Sequence, residues 1–196
     1  RDIWLATLKP FGVKPKSNDY DLFITDTQQK QAQDFIKQYS SKFLVGINLE
    51  GAVKGKKIKF PELWKICQGL YKANNNIQII ILTTPGNIRN INEKVTEISL
   101  DYVVTSYKTN TILDAAALIS QLDLIITPDT SIVHIASAFN KPVVTIHENN
   151  QDSYQLFSPT SNLNKTVFSP KKDALEGYDV QKVIEYSNQF IKDISS

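Results

Sequence analysis

The sequence predicts an α/β protein built on a Rossmann-like, doubly wound parallel sheet. Three observations carry that expectation. Five short β-branched runs are apolar on both faces, as strands covered on both sides are. Segments with helical spacing alternate with them, the pattern of an open sheet with right-handed crossovers. The 196 residues, 41% hydrophobic and 21% charged, suffice for one globular core with a further piece attached.

The first forty residues stand outside the alternation. "ATLKPFGVKPKSNDYDLFIT" carries two prolines and a polar "KSND", and "DTQQKQAQDFIKQYSS" reads as a polar helix with a thin stripe of Ala32, Phe35, Ile36 and Tyr39. Residues 1–40 are therefore expected to be a linker and the remnant of an amino-terminal domain, with the α/β domain over 41–196. The chain opens on Arg1 and contains no methionine, so it is read as a fragment of a longer protein.

The predicted strands follow in order: "KFLVGINL" from Lys42, "IQIIILTT" from Ile77, "DYVVT" from Asp101, "DLIIT" from Asp123 and "PVVTI" from Pro142. Between the first two, "ELWKICQGLYKA" places Leu63, Ile66, Cys67 and Leu70 at i, i+3, i+4, i+7 behind Pro61. "TILDAAALISQL" opens on Thr111 with Asp114 three residues later, a capping-box spacing. "DVQKVIEYSNQFIKDI" puts Val180, Val183, Ile184, Ile191 and Ile194 on one stripe and reads as the closing helix.

Composition narrows the function classes. A net charge of +2 demands neither nucleic acid nor a membrane as partner. The single cysteine, Cys67, excludes an internal disulfide framework, and its place on an apolar helical face makes it a buried, inert thiol. No apolar run reaches the ~18 residues of a membrane span, and no signal peptide is visible. His134 and His147 have no Cys or carboxylate cluster at metal-ligand spacing, and there is no P-loop, so no metal and no cofactor are expected.

Chemistry is expected at two loops. In a doubly wound sheet ligands bind outside the carboxyl ends of the strands where strand order reverses, between strands one and four in the common order. The loop after strand one, "EGAVKGKKIKF", holds Gly51, Gly55, Lys54, Lys56, Lys57 and Lys59. The loop after strand four, "PDTS", leads into the helix "IVHIASAF". Thr130 or Ser131 can cap that helix, so the amides of Ile132, Val133 and His134 are among those lacking intrahelical partners. Free amides and the helix dipole suit a phosphate, to which His134 could donate. Asp129 would repel phosphate, so it is expected to orient a hydroxyl, fix loop amides, or meet a sugar or ribose. After strand two, "LTTPGNIRN" makes Asn87 a candidate for the nucleoside end of a ligand. Each feature has a plainer reading: Asp, Thr and Ser are ordinary helix caps, lysines in a loop form a solvated turn, and Pro85 and Gly86 explain a turn alone.

"AALISQLDLIITPDTSIVHIASAFNKPVVTI" resembles the carboxyl-terminal signature of the heptosyltransferases, glycosyltransferase family nine: an acidic residue, Thr or Ser, usually Gly, two residues and His, then a small-residue helix. Asp129, Thr130 and His134 match in register, and "INLEGAVKGKKIKFPELW" resembles the family's first loop. The resemblance covers roughly residues 43 to 194. It implies one half of a two-domain GT-B enzyme, the half that holds the nucleotide-sugar donor, with 41–196 as that domain. The implied donor site comprises Asp129, Thr130, Ser131, His134, Lys57, Lys56, Gly51, Ala52, Thr84 and Asn87. The family chemistry is metal-free inversion, with the general base in the amino-terminal domain. This chain alone is thus expected to bind donor without turning it over.

The sequence departs from the family pattern in four places. Ser131 stands where Gly is usual, and Ile58, flanked by Lys57 and Lys59, stands where a lysine is frequent, so phosphate contact is expected to move to Lys57. Asn87 aligns approximately with a Glu that meets the ribose in some members. "HENN", with His147 and Glu148, replaces an aromatic or aliphatic residue and Gly. Three readings stay open: an inverting transferase that moves heptose or a related sugar from ADP-heptose or another nucleotide sugar, a non-catalytic nucleotide-sugar-binding relative, or another nucleotide enzyme such as an epimerase. The first implies a nucleotide sugar as partner and a lipopolysaccharide or lipooligosaccharide core acceptor held by the other domain. It also implies a cytoplasmic location, peripheral at the inner face of the inner membrane.

Overall fold

In the computed structural model, residues 5–14, 17, 19–51 and 55–195 are described. Six parallel strands run in the order β3-β2-β1-β4-β5-β6: β1 Phe43–Asn48, β2 Ile77–Leu82, β3 Val103–Thr105, β4 Leu124–Pro128, β5 Val143–His147 and β6 Asn164–Phe168. The helices are α1 Asp26–Ile36, α2 Phe60–Ala73, α3 Ile88–Ile98, α4 Ile112–Ser120, α5 Ser131–Ala138, α6 Gln151–Phe157 and α7 Val180–Ser195. The five predicted strands are all present. The order reverses between β1 and β4, which pair from Val45 opposite Leu124 to Ile47 opposite Ile126.

Successive side chains of a strand point to opposite faces, which is why these runs must be apolar throughout. On one face Val45, Ile47, Ile79, Ile81, Leu124 and Ile126 pack with Leu63, Ile66, Cys67 and Leu70 of α2 and Val183, Phe190 and Ile191 of α7. On the other, Leu44, Ile80, Ile125 and Val143 pack with Ala116, Leu118 and Ile119 of α4 and Ile132, Ile135 and Ala136 of α5. Cys67 is fully buried and its thiol is pushed up to about 12 by burial, which fits an inert core residue.

The stripe read on the polar helix is the packing face of α1. Ala32 is buried, and Phe35, Ile36 and Tyr39, with Leu22 and Ile24 before the helix, lie against the second core layer. Gln28 ties this helix to α4: its Oε1 accepts from the N–H of Thr25, and its Nε2 donates to Asp114 Oδ1 at 3.1 Å.

The sixth strand goes beyond the sequence reading. "NKTVF" pairs with β5 from Val143 opposite Asn164 to His147 opposite Phe168. As an edge strand it buries only Val167 fully, so its residues carry no two-faced apolar run. The described residues contain no helix long and apolar enough to cross a membrane.

Candidate functional site

The first loop and the start of α5 meet at Gly51. A Cβ built on Gly51 would lie 2.5 Å from Cγ2 of Thr130, so only glycine permits this approach. Thr130 is held from below by Asn48 at the end of β1, whose Nδ2 donates to Thr130 Oγ1 at 3.1 Å and to Thr127 Oγ1 at 3.0 Å. Thr130 also caps α5: its Oγ1 accepts from the N–H of Ile132 at 3.3 Å, and its carbonyl accepts from Val133 at 3.1 Å. Two of the amides expected to be available to a ligand are therefore engaged by the cap. Among the described residues the N–H of Ser131 has no such partner, and the dipole of α5 points the same way.

Beside this junction lies a cleft of about 270 Å³. Gly51, Thr84, Thr130 and Ser131, all expected at a donor site, line it. Leu82, Pro85, Ile112, Ala115 and Ile132 give it apolar walls, and Glu50, Thr83, Ser106 and Thr109 add polar groups. A cleft of mixed character at the switch point of an open α/β sheet is where a nucleotide-sized ligand is accommodated.

Glu50 is the polar centre of that cleft. Its Oε1 accepts from the hydroxyls of Thr83 and Thr84, each at 3.0 Å, and from Nδ2 of Asn87 at 2.9 Å. Asn87 thus stands behind a carboxylate instead of lining the cleft itself. Sequence reasoning passed over Glu50, although its place directly after β1 at the switch point was a usable signal. It also missed the cleft wall from Ser106 to Ile112. That wall is shaped by Asp114 Oδ2, which accepts the N–H groups of Asn110 and Thr111, each at 2.8 Å.

Charge is concentrated on the β5 side. Lys56 Nζ donates to Asp129 Oδ2 at 2.5 Å and lies 3.3 Å from Glu148 Oε1, with all three side chains largely buried. Burial pulls the Lys56 ammonium down, but the two carboxylates outweigh it and the net direction is up. His147 Nδ1 lies 3.9 Å from Asp129 Oδ1, and its ring packs edge-on against Tyr154 with centroids 5.0 Å apart. Burial, with smaller contributions from Lys56 and His134, pulls His147 down to about 4 against the opposing Asp129 charge, so it is neutral at pH 7. His134 lies between Tyr20 and Phe157, with ring centroids 5.2 and 6.2 Å away, and burial lowers its pKa as well.

The remaining expected residues divide. Lys57 is exposed, has no ion pair among the described residues, and forms an isolated antiparallel bridge with Glu50. Ala52 lies outside the described residues. No group of three or more His, Cys, Asp or Glu side chains suited to a metal occurs among the described residues.

Comparison with known proteins gives one consistent result. Residues 2–183 match the family model for glycosyltransferase family 9 (heptosyltransferase). The chain is 26% identical over 164 residues to "Putative lipopolysaccharide heptosyltransferase 4" of Escherichia coli K12, covering 82% of this chain and 43% of that protein. The crystal structure of a family 9 glycosyl transferase from Veillonella parvula superposes with a TM-score of 0.79 at 16% identity, over 98% of this chain and 60% of that one. Escherichia coli heptosyltransferase WaaC with ADP superposes with a TM-score of 0.65 at 15% identity, over 93% of this chain and 53% of that one. The chain thus spans under half of the curated relative and little more than half of the two structures.

Proposed function

We propose, starting from the fact that this chain belongs to glycosyltransferase family 9, that it is the nucleotide-sugar-binding half of an inverting transferase. The donor is ADP-heptose or a closely related nucleotide sugar, and the acceptor is the core of lipopolysaccharide or lipooligosaccharide. The observation that carries this reading is the junction of Gly51 with Thr130 beside the mixed cleft. A diphosphate laid across the start of α5 meets the N–H of Ser131 and the positive end of the helix dipole. Its nucleoside then occupies the cleft, with the base against Leu82, Pro85 and Ile112. Its sugar points toward Asp129, Lys56 and Glu148 on the β5 side. Escherichia coli WaaC, which shares this fold, has been seen with ADP, in keeping with an adenine nucleotide here.

In this reading the chain's groups stabilise the departing nucleoside diphosphate. Charge develops on the leaving phosphate as the anomeric bond breaks, and the preorganised Ser131 amide, the helix dipole and a nearby lysine lower the energy of that charge. Lys57, exposed in the first loop and without an ion pair among the described residues, is the lysine we assign to that contact. The general base and the acceptor site are assigned to the protein's other half, and metal has no part in the scheme. The enzyme works in the cytoplasm, at the inner face of the inner membrane.

A second reading, a nucleotide-sugar-binding relative without turnover, is favoured by one observation. Lys56 is already neutralised by Asp129 and Glu148, so it does not offer its charge to a diphosphate in this arrangement. Calorimetric titration with ADP, UDP, GDP and CMP, followed by donor turnover with the full-length protein, separates the readings. Preferential ADP binding with sugar transfer supports the enzyme, binding without transfer supports the relative, and absence of binding by any nucleotide removes both.

A further inference from the structure

Resting on the nucleotide reading above, we infer that Gln28 is a positioning residue of the cleft, an amide bridge that couples the seating of α1 to the binding of a nucleotide. Gln28 lies before β1, outside the alternation of strands and helices, and does not line the cleft. It reaches the wall through Asp114. Oδ2 of Asp114 accepts the N–H groups of Asn110 and Thr111, each at 2.8 Å, while Oδ1 accepts from Gln28 Nε2 at 3.1 Å. Thr109, Asn110, Thr111 and Ile112 belong to that wall, so α1 holds the carboxylate that shapes it.

Two helix starts share this one side chain. At α1, Gln28 Oε1 accepts from the N–H and from the hydroxyl of Thr25, each at 3.0 Å, which closes the capping box. At α4, where Thr111 and Asp114 form a second capping box, Gln28 Nε2 is the donor. Of Glu and Gln, the residues usual at this box position, only the amide both accepts and donates. Glutamate would close the box of α1 equally well, yet it would face Asp114 with like charge. What distinguishes Gln from Glu here is therefore the bridge. A second tie runs beside it: Phe35 of α1 packs edge-on against Tyr107 with ring centroids 5.4 Å apart, and the Tyr107 hydroxyl donates to the Asp114 carbonyl at 2.8 Å. Both contacts from α1 converge on Asp114. A displacement of α1 moves the wall, and by linkage a ligand that fixes the wall seats α1.

Calorimetry on the intact protein, unaltered and as Gln28→Glu, tests this with ADP, or with UDP or GDP if ADP does not bind. The substitution keeps the cap of α1 but removes the donor, so affinity at pH 8 is expected to fall about three- to tenfold, the range of one hydrogen bond. The titratable groups that meet at the bridge are Asp114 and Tyr107, whose phenol burial pushes up to about 12. The introduced carboxyl, its pKa raised by the Asp114 charge, takes up a proton on acidification and regains a donor. Its deficit against unaltered protein at the same pH should therefore shrink toward pH 5. No deficit, or one that does not change with pH, would make Gln28 a helix cap alone and overturn the inference. Hydrogen exchange on the unaltered protein needs no substitution: bound nucleotide should slow exchange of the Gln28 and Gln29 amides, which bond to Thr25 away from the cleft. Unchanged exchange there overturns the coupling while leaving the nucleotide reading intact. Failure of every nucleotide to bind the unaltered protein removes that reading, and this inference with it.

Discussion

Gly51 and Thr130 are in direct contact across the sheet's switch point, with no room for a side chain between them. Gly51→Ala would place a methyl group 2.5 Å from Thr130 Cγ2, so the two loops must part. Overpacking of this kind costs about 1 to 3 kcal/mol. A lower thermal midpoint and weaker nucleotide binding are expected together. Thr130→Ser removes the obstructing methyl while keeping the cap hydroxyl, so it should restore much of both in the Gly51→Ala background. A double-mutant cycle with no coupling would show that the contact is not what fixes the loops.

Lys56 and Lys57 are neighbours in sequence with opposite surroundings. Removing Lys56 leaves Asp129 and Glu148 largely buried without their cation, and Lys56→Met is expected to cost about 3 kcal/mol at neutral pH. Lys57→Ala, at an exposed site, should change stability by less than about 0.5 kcal/mol while weakening nucleoside diphosphate binding. Urea unfolding and calorimetry on both variants check the contrast, and equal stability losses would contradict it.

The strands and α2, α4 and α7 were legible because two-faced burial and helical amphipathicity leave periodic traces in sequence. Gly51, Thr84, Thr130 and Ser131 were legible as residues of the cleft because the switch-point rule links particular loops without coordinates. Side-chain partners were not legible. Lys56 reads as a free donor-site lysine until Asp129 and Glu148 are seen around it, and Asn87 as a contact for the nucleoside end of a ligand until Glu50 is seen in front of it. Such pairings depend on which side chain wins a shared acceptor, and spacing along the chain does not encode that. Strand β6 was missed for a different reason: an edge strand buries one side chain in five fully and leaves no apolar run.

Asp114 shapes the cleft without lining it. Its carboxylate holds the N–H groups of Asn110 and Thr111, and Gln28 reaches it from α1. Asp114→Ala leaves those amides without their acceptor, at a cost of about 1 to 3 kcal/mol. Nucleotide affinity should fall as well, because Thr109, Asn110, Thr111 and Ile112 form the cleft wall. Burial pushes the Asp114 carboxyl up, but hydrogen bonds from Thr111, Asn110 and Gln28 outweigh it and hold it below the ordinary value. Its contribution is therefore complete above the unfolded carboxylate range and lost only as pH falls through the lowered folded value. The stability gap between the unaltered protein and Asp114→Ala should stay constant from pH 8 to 5. A gap that closes well above that carboxylate range would show that the ionised form is not what holds the loop.

His147 gives the fold a pH dependence of predictable sign. It is 1% exposed, packed against Tyr154 and Phe168, and held down to about 4 from an ordinary 6.5. The unfolded chain takes up the proton near 6.5 and the folded one only near 4, so between those values the unfolded state binds more protons. Stability is thus fully present above the unfolded value, declines as pH falls through this window, and has lost the whole contribution below about 4. From pH 7 to pH 5 the loss amounts to about 2 kcal/mol for this one group. His134, also lowered by burial, adds a smaller term of the same sign. His147→Phe keeps an aromatic ring among aromatic neighbours and has no proton to take up. Its urea-unfolding free energy should therefore fall less between pH 7 and pH 5, by about the amount His147 contributes. An identical decline in both proteins would place the acid sensitivity elsewhere and remove buried, neutral His147 as its source.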